Sequence, residues 1–329
     1  MNKKQIALVM GGYTGESVVS EKSAAVVAQH LDKDRFEVHK IHIYPNNWYL
    51  EEEDGTKLPL DLNGFFVVKN GKKLTFDGVF NIIHGSPGED GKLVGYFDML
   101  GIPYTTCDAL TSSITMNKAY TKKIVSEIPD LHVAKSVQLF ANKSGLANEL
   151  LEELRLPIFV KPNNGGSSIG MSKVKSAEEL SHALDLAFKE DTQVMVEEFV
   201  SGREFSIGIY KTNGKIMVLP STEIISSKEF FDFEAKYQPG VSEEITPGRM
   251  DERDAVQVKK IAEKVYQTLN CKGAVRMDYF LETKTDKFYF IEINTVPGQT
   301  ETSLISQQVK AVGMSLKTFY TELIEEMWR

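Results

Sequence analysis

The stretch RMDYFLETKTDKFYFIEINT, Arg276 to Thr295, consists of two runs rich in aromatic and aliphatic residues on either side of Lys284-Thr285-Asp286. Runs of this kind read as strands, and the polar triplet as the loop of a hairpin. With the loop at that place Phe280 opposes Phe290, Asp278 opposes Glu292 and Arg276 opposes Asn294. Side chains alternate between the faces of a strand, so Arg276, Asp278, Glu292 and Asn294 share one face. Met277, Tyr279, Leu281, Tyr289, Ile291 and Ile293 fall on the other, which makes a good core surface. Two carboxylates and a carboxamide beside an arginine suit Mg²⁺ held together with substrate phosphates. They suit equally a solvated outer face with a cross-strand ion pair. One residue of slip would scatter the cluster.

Around this hairpin the order of elements is regular. The first hundred residues alternate strands (Gln5 to Met10, Glu37 to Ile43, Val79 to Ile83) with helices (Ser20 to Leu31, Lys92 to Leu100). That order implies a parallel sheet with ligands at the carboxyl ends of its strands, where Gly11-Gly12 and His84-Gly85 lie. A second unit follows, with a helix over Ser113 to Ile128 and a strand over Val133 to Leu139. It continues as helix Ser144 to Leu154, strand Pro157 to Lys161, the loop NNGGSSIG (Asn163 to Gly170) and strand Met171 to Val174. Helix Ser176 to Glu190 opens with a capping box, Ser176 and Glu179, and strand Val194 to Val200 ends the unit. The third unit begins with a hairpin turning at Asn213-Gly214 and contains an irregular stretch from Ser226 to Gly248. Helices follow over Asp251 to Leu269 and Ser315 to Trp328.

Composition limits the function classes. The chain has 329 residues, enough for two or three domains, with 42% hydrophobic and 26% charged residues, an ordinary globular balance. Lys plus Arg is 38 against 46 Asp plus Glu, a net charge of −8 with no basic stripe, which argues against a nucleic-acid binder. No apolar run approaches the roughly 20 residues of a membrane helix, and Ile6 to Met10 is too short for a signal peptide. The two cysteines, Cys107 and Cys271, lack metal-ligand spacing. Reduced thiols fit a cytosolic protein.

Several other residues carry chemistry. The glycines and serines of NNGGSSIG can offer backbone N–H groups to phosphate oxygens, with Lys161 as a point charge, or can form a plain turn. No P-loop and no GxGxxG motif is present. His84 in NIIHGSPGEDG ends a strand, and is either structural or catalytic. Glu16 in MGGYTGES precedes a helix, where its charge also suits the helix dipole. Glu234-Ala235-Lys236-Tyr237 lies in the irregular stretch, and an aromatic clasp is its other reading.

Taken in order, MGGYTGESVVSEKSA, HGSPGEDGKLVGYFDMLGIPYT, the MNK ending in Lys118, VKPNNGGSSIGMSKV, VEEFVSGREF, FDFEAKY, AVRMDYF and EINTVPGQTETSL resemble the ATP-grasp superfamily. Within it they closely resemble the D-alanine–D-alanine ligases, over essentially the whole chain. The resemblance implies an α/β and α+β fold of three domains. These are an N-terminal parallel α/β domain (1–106), a central ATP-grasp domain with the phosphate lid (107–200), and a C-terminal ATP-grasp domain with the metal site and long substrate loop (201–329). It implies ATP as substrate and two Mg²⁺ or Mn²⁺ held by Asp278, Glu292 and Asn294. Lys118, Lys161, Ser167 and Ser168 would meet the phosphates, Glu197 and Val200 the adenine edge, and Glu204 the ribose.

For the amino-acid substrates, Glu16 would hold the ammonium of the first D-alanine and Arg276, with His84 nearby, its carboxylate. Ser303, Leu304 and Lys236 would grip the second. Arg276 and the backbone at Gly298 would stabilise the oxyanion, and Glu16, Ser167 and Tyr237 would form a hydrogen-bonded triad. The chain departs from many relatives at Ser17, where they carry a charge, at NNGG, where they carry Arg-Glu, and at Thr302, where they carry His. The implied reaction is joining of two D-alanines through an acyl phosphate by a cytoplasmic homodimer, with no nucleic-acid or membrane partner. A D-alanine–D-lactate ligase and a non-catalytic ATP-binding module share the fold. The complete carboxylate-Asn set argues against the second, and a nicotinamide dehydrogenase lacks its glycine fingerprint.

Overall fold

Three sheets organise the protein, seen here in a computed structural model that describes residues 3–143, 146–166, 169–226 and 242–329. The first contains β1 (Lys4–Gly11), β2 (Phe36–Tyr44), β3 (Asn47–Glu51), β4 (Lys57–Pro59) and, beyond the small hairpin β5 (Val67–Lys69) and β6 (Lys72–Leu74), β7 (Gly78–Asn81). Its order is β4-β3-β2-β1-β7. The pairs β2-β1 and β1-β7 are parallel and the β3 edge antiparallel. Helices α1 (Ser17–His30) and α2 (Lys92–Leu100) belong to this unit. Ile6, Ala7, Leu8 and Val9 are fully buried, as a strand covered on both faces requires. The carboxyl ends of β1 and β7 place Gly11-Gly12 and His84-Gly85 together. A β-carbon on Gly12 would lie 3.4 Å from the His84 carbonyl oxygen, and φ there is +120°.

The expected helix over 113–128 is two helices, α3 (Ala109–Met116) and α4 (Lys118–Val125). Asn117 interrupts it with an extended backbone and caps α4 by accepting the Tyr120 N–H. The expected strand over 133–139 likewise divides into β8 (Leu131–Val133) and β9 (Ser136–Leu139), which join different sheets. α5 (Leu146–Glu153), β10 (Ile158–Pro162), β11 (Ser172–Val174), α6 (Ala177–Glu190) and β12 (Val194–Glu198) complete the middle region. Its antiparallel sheet runs β11-β10-β12-β9. The capping box forms differently from expectation. Ser176 makes no side-chain cap, and Glu179 accepts the Lys175 N–H instead.

The third sheet contains β13 (Gly202–Thr212), β14 (Lys215–Val218), β15 (Thr222–Ser226), β16 (Ser242–Ile245), β17 (Val275–Glu282) and β18 (Phe288–Asn294). Its order is β16-β15-β13-β17-β18-β8, with β14 on β13. α7 (Glu252–Thr268), capped by Asp251, packs its buried Val258, Ile261, Ala262 and Val265 against it. α8 (Leu304–Ala311) and α9 (Leu316–Glu326) lie on the side facing the first unit. Cys107, Val125, Ile128 and Leu131, from the segment that the sequence assigns to the middle unit, share this core. Residues 242–245, read as irregular, form β16. Pairing with β15 gives them a backbone partner that no local pattern announces.

The hairpin that opened the sequence reading is correct in part. Arg276 pairs with Asn294 and Asp278 with Glu292, as expected. A bulge then shifts the register, so Tyr279 opposes Phe290 and Phe280 opposes Tyr289. Ile291 is the extra residue, and its insertion reverses the facing of everything before it in β18. Phe288 and Phe290 therefore enter the core in place of the expected Tyr289 and Ile291, which are only half-buried. Ile291 lines the cleft between the sheets.

Candidate active site

A cleft of about 1450 Å³ opens where the three sheets meet. It is lined from the first sheet by Glu16, His84 and Glu89, from the middle region by Lys118, Lys161, Gly165, Gly166, Glu197 and Val200, and from the third by Glu204, Arg276, Asp278, Glu292, Asn294, Gly298, Ser303 and Leu304. All the described candidates from the sequence thus border one cavity. Ser167, Ser168, Glu234, Lys236 and Tyr237 lie outside the described residues.

The β17–β18 floor is a polar cluster. Arg276 donates through Nε to Asp278 Oδ1 at 2.9 Å and through a terminal nitrogen to Oδ2 at 2.7 Å. Asn294 Nδ2 donates to Asp278 Oδ2 at 3.3 Å, and Ser206 Oγ donates to Oδ1. Burial pulls the Arg276 guanidinium pKa down, but the carboxylates of Asp278, Glu292 and Glu89 outweigh it and raise it overall. Lys118 Nζ lies 3.6 Å from Glu292 and also donates to the Gly165 carbonyl of the glycine loop. The two carboxylates are therefore each met by a cation of the protein itself, Asp278 by Arg276 and Glu292 by Lys118. Two carboxylates and a carboxamide that converge on one cleft are a donor set that fits a hard divalent ion.

Glu16 is the N-cap residue of α1. Two glycines bring backbone up to its carboxylate. A β-carbon on Gly85 would lie 3.0 Å from Oε2, and one on Gly166 would lie 3.2 Å from Oε1. The glycine loop of the middle region thus meets the first unit at Glu16. On the cleft floor Ser303 stands at the N-cap position of α8 but makes no side-chain cap; its Oγ accepts the Thr300 N–H at 2.9 Å and bonds Thr300 Oγ1 at 2.7 Å. A β-carbon on Gly298 would approach Ser303 Oγ to 3.0 Å, so these two candidates are adjacent.

His84 is buried, and both ring nitrogens have partners: Nδ1 the Val296 carbonyl at 2.7 Å and Nε2 the Ser23 hydroxyl at 3.4 Å. Burial lowers its pKa. Glu89, which the sequence reading passed over, accepts the Gly85 N–H at 2.6 Å and the Val296 N–H at 3.0 Å. Its desolvation, with the Glu16 carboxylate nearby, pushes its pKa up to about 8. Val296 is thus held on both sides of its backbone by the first unit. Ser23 Oγ adds the Gln299 N–H at 3.1 Å, which anchors the segment carrying Gly298. Glu89 stands in the GED run beside His84, and its place among glycines is the only local signal of this role.

Phe159, Val200, Phe280 and Ile291 add apolar lining to the cleft, and Phe280 pairs with Glu204 across β17 and β13. Glu197 is buried with its two oxygens engaged by two ammonium groups, Lys161 on Oε1 and Lys122 on Oε2. Burial opposes its ionisation, but the two lysines prevail and hold it down to about 2. Lys122 was also passed over. It follows Lys118 by four residues on one helix, so both point the same way.

Comparison with known proteins bears on this geometry. The D-ala D-ala ligase N-terminus model matches residues 5–107 and the D-ala D-ala ligase C-terminus model residues 125–325. A D-alanine–D-alanine ligase of Flavobacterium johnsoniae is 42% identical over 98% of each chain. Among solved structures, the VanG D-Ala:D-Ser ligase of Enterococcus faecalis superposes with a TM-score of 0.89 at 31% identity, covering 99% of this chain and 100% of that one. The D-alanyl-alanine synthetase A of Vibrio cholerae does so at 0.88 and 27%, covering all of both. With both family models matched in order and their length spanned, the chain belongs to the D-alanine–D-alanine ligase family.

Proposed function

We propose that this protein joins two D-alanine molecules into D-alanyl-D-alanine at the expense of ATP, supplying the dipeptide for peptidoglycan precursors. The observation that carries this reading is the meeting, in one cleft, of Arg276, Asp278, Glu292 and Asn294 with Lys118, Lys161 and Glu16 in a chain of this family. The carboxylate of the first D-alanine attacks the γ-phosphorus of ATP. An O–P bond forms, the bond to the β-phosphate oxygen breaks, and ADP leaves. The amine of the second D-alanine, having lost a proton, attacks the acyl carbon, and inorganic phosphate leaves with the former carboxylate oxygen.

The difficulty is electrostatic, since an anion must approach a polyanion. Lys118 and Lys161 offset the phosphate charge, and Arg276 the carboxylate. Asp278, Glu292 and Asn294 would hold two Mg²⁺ or Mn²⁺ ions, which supply charge neutralisation at the transferred phosphoryl group. Glu16 binds the first ammonium beside His84. Arg276 and the Gly298 backbone face the tetrahedral oxyanion. Ser303, the Leu304 backbone and Lys236 take the second carboxylate. Val200 and Glu197 meet the adenine, and Glu204 the ribose. Ser167 and Ser168 belong to the phosphate lid, and Ser167 and Tyr237 complete the triad with Glu16.

The division into units 1–106, 107–200 and 201–329, action in the cytoplasm and a homodimeric state complete the proposal. No described helix is long and apolar enough to cross a membrane. A coupled assay of ADP release with D-alanine, D-lactate, D-serine and L-alanine tests the reading. Release with D-alanine alone and a dipeptide product are expected. ATP binding without turnover on any of them would favour a non-catalytic module.

A further inference from the structure

Lys122 does not line the cleft. It lies behind it, 3% exposed, and its ion pair to the site is with Glu197, with Lys161 and Glu292 also within electrostatic reach. A lysine buried to this degree is costly unless a carboxylate compensates it. Burial pushes its pKa down to about 8, and Glu197 works against that shift. The ion pair with the Glu197 carboxylate is the contact that favours its ammonium form.

The arrangement has an asymmetry. Glu197 offers one oxygen to Lys161, which borders the cleft, and the other to Lys122, which does not. For Lys161 to serve a phosphate it must share or leave its carboxylate partner. With Lys161 as its only cation, Glu197 would hold that lysine back, or be left a lone buried anion beneath a polyanion. With Lys122 fixed on its far side, Glu197 keeps a counter-ion wherever Lys161 turns. We infer that Lys122 is a positioning residue of the nucleotide site. It neutralises Glu197 from behind, which frees Lys161 for phosphate and holds the Glu197 carboxylate at the cleft wall. This rests on the reading of the cleft as an ATP site.

The test is a charge cycle read by nucleotide binding. Wild type, K122M, K122R, E197Q and K122M/E197Q are titrated with Mg-ADP and Mg-ATP, alongside thermal melts and separate KM values for ATP and D-alanine. K122M is expected to weaken nucleotide binding and raise KM for ATP by about 10- to 100-fold, the scale of one charged hydrogen bond. KM for D-alanine should move by less than about threefold, since sites without shared partners behave independently. K122R should recover most of the loss. In the E197Q background, where no carboxylate needs neutralising, removing Lys122 should cost less than about threefold. A K122M protein with wild-type nucleotide affinity, or the same loss with and without the Glu197 charge, would overturn the inference. If K122M does not fold, K122Q takes its place in both backgrounds, since its amide can bond Glu197 without neutralising it, and the same two outcomes decide. Failure of the wild type to bind nucleotide at all would count instead against the proposed function.

Discussion

Glu89 provides the sharpest test of the electrostatics of this site. It is a half-buried carboxyl at the cleft wall whose oxygens accept the backbone N–H groups of Gly85 and Val296, and its pKa is raised from 4.5 to about 8 by desolvation and by Glu16. A group that binds its proton more tightly when folded adds stability that is complete below its unfolded pKa and is lost as pH rises toward the folded value. Between pH 5 and pH 8 this single group should therefore cost the wild type about 3–4 kcal/mol of folding free energy. Glu89→Gln cannot ionise and removes that slope. It also turns an amide N–H₂ toward one of the two backbone donors, a penalty of about 1–3 kcal/mol at every pH. Urea unfolding at pH 5, 6, 7 and 8 should thus show the variant less stable than wild type at pH 5, with the gap closing as pH rises, reversing between about pH 6 and 7.5, and leaving the variant the more stable protein at pH 8. A gap that stays constant to within about 0.5 kcal/mol, or widens, would refute the reasoning, because it would mean that Glu89 is ionised throughout.

Three further outcomes are expected. Glu292→Gln should lower turnover by at least about 100-fold, since it weakens the metal donor set at the developing charge, with little change in melting temperature; near-normal ligation at modest Mg²⁺ would contradict the metal assignment. Gly273→Ala should destabilise the protein by roughly 2–4 kcal/mol, because φ there is +63° and the new β-carbon would stand 1.8 Å from the Thr105 carbonyl oxygen; an unfolding midpoint equal to wild type would refute this. The proposed second subsite draws on Glu234-Ala235-Lys236-Tyr237, and the sequence has no histidine between Ser226 and Gly248, so that stretch offers no imidazolium to repel an ammonium and favour a lactate anion. Competition at pH 7 among equal D-alanine, D-lactate and D-serine should give mainly D-alanyl-D-alanine, and a predominant depsipeptide or D-serine product would reassign the specificity.

The sequence by itself determined whatever depends on near neighbours along the chain. Alternation was enough to put Arg276, Asp278, Glu292 and Asn294 on one face, but the expected turn was one residue out, since Leu281 pairs with Phe288 rather than Tyr289, and the bulge at Ile291 restores the pairing of Asp278 with Glu292 and Arg276 with Asn294. Glycine-bearing strand ends were enough to mark His84-Gly85 and Asn164, Gly165 and Gly166 as cleft lining, while Gly11-Gly12 stands beside His84 without lining the cleft, and the order of the motifs was enough to give the family. The bulge itself carries no local signature, since an inserted Ile291 reads like any strand residue. Only its pairing with β17 shows that Phe288 and Phe290 face the core while Ile291 turns to the cleft. Asn117 is similar, for a cap and a mid-helix asparagine look alike until the chain is seen to turn there. Lys122 and Glu197 are 75 residues apart, and Glu89 and Val296 are 207 apart. Whether a lysine or a glutamate is buried, and which charge or N–H it then needs, is decided by the packing of one sheet against another. Desolvation makes those partners obligatory, and it arises only when the elements have come together.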